Sequence, residues 1–395
     1  MTECEIPEVN FNRDDLLAKA AAETGLNNFG DNSFREPFDV LLYSLSNEAN
    51  LNRAGRFIQY ERVLNTLKNR LRQSEWIRLY PEILDEQISA PVVIVGLPRT
   101  GTTMLHRVLA SDERFFAPLW YEVRNPAPFL DWDTSVKDER LTLAETEVSA
   151  LLRANPEIAA IHPMDPLGAD EDILLLEHSF YSTVPPAFCN TPSYSNWLFN
   201  NDNQPGYDYL KLQLQSLQWQ KKHRSGNNDN KRWLLKTPHH LHFLDKLIDT
   251  FPDAKIISTH RDPIDTIPSI CSFNYNLWIT QANDVAPNLV GKQWSGIFAT
   301  GTRHAMKVRQ ASKGQFIDIS FKELLGNPEQ TTRSIFNFID VKTTSESLAA
   351  MQLHRDQNQR DSRPPHDYSL EDFGLTEKNI KATFAGYIDA FKDLI

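Results

Sequence analysis

The sequence predicts an α/β protein: a central, mostly parallel sheet flanked by helices, with a helical N-terminal extension. Two observations carry that expectation. Short apolar runs, PVVIV, WLL, AKIIST and QFIDIS, recur between segments of helical periodicity. Strands that alternate with helices build a parallel sheet covered on both faces. A third observation separates the N-terminal region. Residues 1–89 read as helices, with apolar residues at three- and four-residue spacing. Composition does not break sharply along the 395 residues. We therefore expect residues 1–89 to pack on an α/β domain of residues 90–395, the two forming one structural unit.

The elements follow in order. NFNRDDLLAKAAAETGL starts polar, is alanine-rich in its middle and stops at Gly25, as a helix does. FREPFDVLLYSL and the run from Ala54 to Tyr80 also read as helices. The Pro91–Val95 strand follows, and FFAPL suggests a second, shorter one. Segments 139–155 and 170–182 read as helices, and 181–199 as an ordered loop rich in Pro, Ser, Asn and aromatic residues. Residues 207–223 form an amphipathic helix, and SGNNDNKR is a polar loop. WLL is a strand, and the chain is helical from there to Phe251. AKIIST is a strand, Pro263 opens a helix, and QFIDIS is the last strand. The remainder is helical, apart from RDSRPPHDYS.

Bulk properties narrow the function. A hydrophobic content of 41% and a charged content of 24% fit a soluble globular protein. The acidic start, MTECEIPEVNFNRDD, has no basic-then-apolar signal pattern, so a cytoplasmic location without a membrane partner is expected. A net charge of −11 argues against a nucleic-acid partner. Cys4, Cys189 and Cys271 are far apart and form neither a disulfide framework nor a zinc knuckle. Oligomeric state is not legible.

PVVIVGLPRTGTTMLHRVL, Pro91–Leu109, has the layout of a phosphate-binding loop. A strand end feeding a helix start leaves backbone N–H groups that attract an anion. Gly96 and Gly101 permit tight turns, Arg99 offers a forked cationic grip, and Thr102 and Thr103 offer hydroxyls. A nucleotide-triphosphate loop would continue Gly-Lys-Ser/Thr; here threonines follow Gly101. The loop suits a 5′-diphosphate-like group that bears fewer charges than a triphosphate. A second anion site is suggested by AKIISTHRDPIDTIPS. Arg261 stands at a strand end, with a helix N-terminus and Ser269 beyond it. The plainer alternative is that Arg261 only pairs with Asp262 or Asp265.

Pro98-Arg99-Thr100-Gly101-Thr102-Thr103 resembles the 5′-phosphosulfate loop of sulfotransferases that use 3′-phosphoadenosine-5′-phosphosulfate (PAPS). Arg261 with Ser269, and Lys236-Thr237 in KTPHH, resemble two further signatures of that family, in its bacterial branch. The resemblance spans residues 90–330 and the tail. It implies a P-loop-NTPase-like sulfotransferase fold. It also implies PAPS as donor cosubstrate, no metal, and transfer of a sulfuryl group to the hydroxyl of a small acceptor. Arg99, Thr100, Gly101, Thr102, Thr103, Arg261, Ser269 and Arg363 would bind the donor. Lys236 would neutralise charge developing during transfer. Three candidates remain for the general base: His239 first, with His240 beside it, and Glu171 in GADEDILLLEHSF. Met104 and Phe321 stand where many relatives carry an aromatic residue and a tyrosine. Aromatic loops at 118–132 and 180–199 would favour an apolar or aromatic acceptor. The competing readings are a nucleotide kinase-like phosphotransferase and a non-catalytic nucleotide-binding module.

Overall fold

A computed structural model describes residues 6–154, 164–226, 231–312, 314–357 and 368–395. Its centre is a five-stranded sheet: β1 (Val92–Gly96), β2 (Phe115–Phe116), β3 (Arg232–Lys236), β4 (Lys255–His260) and β5 (Phe316–Ser320). The order is β2-β3-β1-β4-β5, and every pairing is parallel. The β-branched run of β1 is buried along its whole length, as a central strand covered on both faces must be. Register places Ile94 beside Lys236, Gly96 beside Thr259, and His260 beside Ser320. The C-terminal ends of β1, β3, β4 and β5 therefore share one edge. The chain crosses from one side of β1 to the other between β3 and β4. Such a reversal opens a crevice at the carboxyl edge.

Alternation along the strands assigns the two faces. Val93, Val95, Leu235 and Ile256 share a buried cluster with Leu16, Phe38, Leu64 and Leu67. These come from α1 (Arg13–Thr24), α2 (Arg35–Asn47) and α3 (Arg53–Leu79). Asn12 caps α1 and Asn52 caps α3, and Gly25 ends α1 at φ 70°. Val92, Ile94, Leu234 and Ile257 face the other way, onto Leu105, Leu109, Phe336 and Met351. Leu105 and Leu109 lie on α4 (Thr102–Ala110), the helix that follows the phosphate loop. The C-terminal tail adds Phe373, Ile380 and Phe384 to a third cluster around Ile267, Trp294 and Phe298.

Several expectations change. The 170–182 segment is helical only over Ile173–Glu177, and Phe180 beyond it takes a φ of 66°. The 181–199 segment contains two helices, Val184–Phe188 and Pro192–Asn200, each with proline in its first turn. After β3 the chain makes a 3₁₀ turn over Pro238–His242 before the Leu244–Thr250 helix. Pro287–Ala311 is a 25-residue helix that the reading did not single out. Among the described residues, no helix is long and apolar enough to cross a membrane.

Candidate functional site

At the end of β1 the chain turns sharply. Arg99 and Gly101 take left-handed φ values of 71° and 85°. A side chain on Gly96 would sit 2.4 Å from Thr259 Oγ1, so only glycine lets the loop press against β4. The Thr100 hydroxyl faces inward. It donates to Leu97 O at 2.7 Å and lies 2.6 Å from Thr259 Oγ1. Thr100 therefore holds the loop to β4, and its hydroxyl is turned away from any anion in the crevice. Gly101 is the N-cap of α4, and no side chain caps that end. The first N–H groups of α4 remain available to an anion, with the helix dipole behind them. Thr102 is buried and Thr103 half-buried on the first turn.

Lys236 enters from the end of β3, with its side chain 1% exposed. Its ammonium donates to Thr103 Oγ1 at 3.2 Å and to Glu171 Oε1 at 2.5 Å. The residue beside Glu171 holds the same lysine by its backbone: Lys236 N–H donates to Asp172 Oδ1 at 2.8 Å. Glu171 is the more open partner, at 22% exposure.

Arg261 leaves the end of β4, its side chain 25% exposed. It meets Asp265 Oδ2 at 3.2 Å, as the plainer alternative required, but that is not its only contact. Its Nη1 donates to the Arg99 carbonyl at 3.2 Å, and its guanidinium lies 4.5 Å from the centre of the Phe321 ring. The two anion sites read from sequence are thus neighbours. Phe321 also walls the loop, since a Cβ on Gly101 would stand 3.1 Å from its ring. Ser269 is buried on the Pro263–Gln281 helix. Met104 packs half-buried in the cluster beneath α4. Arg363 lies outside the described residues.

The two histidines separate. His240 is fully buried: Nδ1 lies 2.8 Å from the Tyr207 hydroxyl, and Nε2 lies 2.8 Å from Asp172 Oδ2 without the alignment of a hydrogen bond. His240 thus faces Tyr207 and Asp172 in the core, away from the more open Glu171. His239 is also buried. Its Nδ1 lies 3.2 Å from Thr183 Oγ1, and its Nε2 has no hydrogen-bond partner among the described residues. Burial, with His240 and His242 alongside, pushes the His239 ring well below its ordinary value, so it stays neutral. Asp172, Tyr207 and Thr183 escaped the sequence reading. Asp172 alone carried a signal, in the acidic run that contains Glu171.

The aromatic loops are largely spent on packing. Phe180 stacks on Phe34 and meets Phe38 at a tilt, as Tyr181 meets Trp197. Trp76, Trp132 and Trp219 cluster together.

A parallel α/β sheet whose carboxyl edge gathers an uncapped helix start with the Lys236 and Arg261 side chains has the chemistry to attract an anionic group. The chain belongs to the sulfotransferase family, whose model, described as Sulfotransferase family, matches residues 91–345. Two curated relatives carry the name omega-hydroxy-beta-dihydromenaquinone-9 sulfotransferase Stf3. They come from Mycobacterium bovis (strain ATCC BAA-935 / AF2122/97) and Mycobacterium tuberculosis (strain CDC 1551 / Oshkosh). Each is 26% identical over 259 residues, which is 64% of this chain and 63% of the relative. Among solved structures, sulfotransferase STF1 of Mycobacterium tuberculosis H37Rv superposes with a TM-score of 0.83 at 28% identity. That likeness covers 95% of this chain and 98% of the other. Sulfotransferase STF9 of Mycobacterium avium gives 0.86 at 26% identity, covering 98% of each. The fold expected from the resemblance is the fold observed.

Proposed function

We propose that the chain transfers a sulfuryl group from PAPS to the hydroxyl of a small apolar or aromatic acceptor. One observation carries the reading. The buried Lys236 ammonium joins Thr103 of the phosphate loop to Glu171, on the same sheet edge where Arg261 touches Arg99. The donor supplies the sulfuryl group and departs as adenosine 3′,5′-bisphosphate (PAP).

The chain's residues divide the work. The N–H groups at Gly101, Thr102 and Thr103, with the Arg99 guanidinium, hold the 5′-phosphosulfate end. Thr100 contributes its backbone, because its hydroxyl is committed inward. Arg261, with Ser269 and the start of the Pro263–Gln281 helix, holds the 3′-phosphate, and Arg363 is assigned to the same phosphate. Lys236 offsets negative charge on the oxygen between sulfur and phosphorus as that bond breaks. Glu171 accepts the proton as the acceptor oxygen bonds to sulfur. Its partial exposure and its contact with Lys236 favour it over the two buried histidines. A second reading gives the proton to His239, because its Nε2 has no hydrogen-bond partner among the described residues.

An apolar acceptor is supported by the net charge of −11, which disfavours a polyanionic carbohydrate, and by similarity to proteins named for a hydroxylated menaquinone. The test is label transfer from [³⁵S]PAPS across a panel of phenols, sterols, long-chain alcohols and a glycan. We expect sulfate esters of the apolar alcohols only. Transfer from ATP–Mg²⁺ instead would replace the reading with a kinase. Tight PAP binding with no ester on any alcohol would favour a binding module.

A further inference from the structure

We propose that Tyr207, His240 and Asp172 form a buried positioning column that holds Lys236 and Glu171 together at the donor's sulfuryl end. The inference rests on the donor reading above and adds three residues to it.

Four contacts run in series. Tyr207 Oη lies 2.8 Å from His240 Nδ1. His240 Nε2 lies 2.8 Å from Asp172 Oδ2, bent from the ideal hydrogen-bond direction. Asp172 Oδ1 accepts the Lys236 N–H at 2.8 Å, and the Lys236 ammonium donates to Glu171. His240 and Asp172 are 0% exposed, whereas Glu171 is 22% exposed. The column thus begins in the core and ends in the crevice.

Adjacency in the chain gives the arrangement its purpose. Glu171 and Asp172 are consecutive, and both grip Lys236, one by its ammonium and one by its backbone. A shift of Asp172 must carry Glu171 with it. The segment is also tied from the side, since Arg107 of α4 donates to Ala169 O at 3.2 Å and lies 3.9 Å from Asp170. The base, the lysine and the helix behind the phosphate loop are therefore fixed to one strip of chain.

The protons have a consistent placement. Burial raises the Tyr207 phenol well above its ordinary value, so it stays an O–H and can donate to Nδ1. Nε2 of the same ring is left facing Asp172. Burial raises the Asp172 carboxyl, but His240 and the Lys236 N–H outweigh it and hold the group ionised. Without His240, Asp172 would be a buried charge lacking its partner, and the strip would have to move.

The test uses the full chain with His240→Ala, His240→Gln and Asp172→Asn. Glutamine sets an amide N–H near the position of Nε2. We expect His240→Ala to lower kcat about 50-fold, with the PAP Kd within twofold of wild type. His240→Gln should stay within about fivefold of wild type, and Asp172→Asn/His240→Ala should be no worse than His240→Ala alone. Hydrogen exchange should quicken in both 169–177 and 232–238 for His240→Ala, although the segments are far apart in sequence. Three results would each overturn the column: a glutamine variant as inactive as alanine, PAP affinity falling in step with kcat, or unchanged exchange in 169–177. Exchange needs no substrate. If wild type binds no PAP, the donor reading fails and exchange alone decides whether the strip is held as described.

Discussion

The two ends of the proposed donor groove are built differently. At the β3 end Lys236 is 1% exposed and tied to Thr103, Glu171 and Asp172. At the β4 end Arg261 is 25% exposed, with one acidic partner on the helix that follows it and one carbonyl from the phosphate loop. A cation fixed in the core before substrate arrives can act on charge that develops during a reaction. A half-exposed cation resting on exchangeable contacts is suited to charge that arrives with a ligand. Rate and affinity should therefore be separable between the two ends.

The sharpest break comes at the buried end. Lys236→Met should lower kcat about 10³-fold and leave the PAP Kd within about threefold, in steady-state turnover of PAPS with an accepted alcohol. Equal losses in both would erase the distinction between the ends. Next, Glu171→Gln should lower kcat about 10²-fold while His239→Gln stays within about threefold. The opposite ranking would move the proton to His239.

The core beneath Lys236 should respond to acid. His106 lies there with Nε2 3.2 Å from the Leu234 carbonyl, and burial followed by Lys236 pushes its ring down to about 3. The folded state then resists a proton that the unfolded state accepts near 6.5. Stability is highest above pH 6.5, falls by about 1.4 kcal/mol per pH unit on account of this residue, and levels off near pH 3. Denaturant titrations of wild type and His106→Gln at pH 7 and pH 5 would reveal it as a shallower dependence in the variant. The smallest effect belongs to the open end. Phe321→Ala removes the ring beneath Arg261 and should weaken PAP binding about threefold to fivefold, with kcat unchanged.

What the sequence disclosed was local, and what it hid was distant. The phosphate loop is legible because Gly96, Arg99, Gly101 and the two threonines act within a few residues of one another. The strands are legible because their apolar runs are short and bounded. The Lys236–Glu171 pair joins residues 65 positions apart, and no spacing rule connects them. Glu171 drew notice as a carboxylate in an acidic run near a helix start, not as a partner of Lys236. The sequence put His239 ahead of His240 but could not show what surrounds either ring. Their difference lies in Tyr207 and Asp172, which reach His240 from two other parts of the fold. The 181–199 segment misled because its prolines read as breakers, whereas they occupy first helical turns, where a missing N–H costs nothing. The 170–182 helix was over-extended because its apolar run continues to Phe180, where the backbone turns left-handed for reasons no local pattern announces.

The most direct measurement is calorimetric titration of PAP into wild type, Arg99→Ala and Arg261→Ala. Arg261 Nη1 rests on the Arg99 carbonyl, so one nucleotide should meet both guanidinium groups. We expect each variant to weaken binding by about 2–5 kcal/mol, as a phosphate charge loses its partner. Unchanged affinity in both variants would contradict the account.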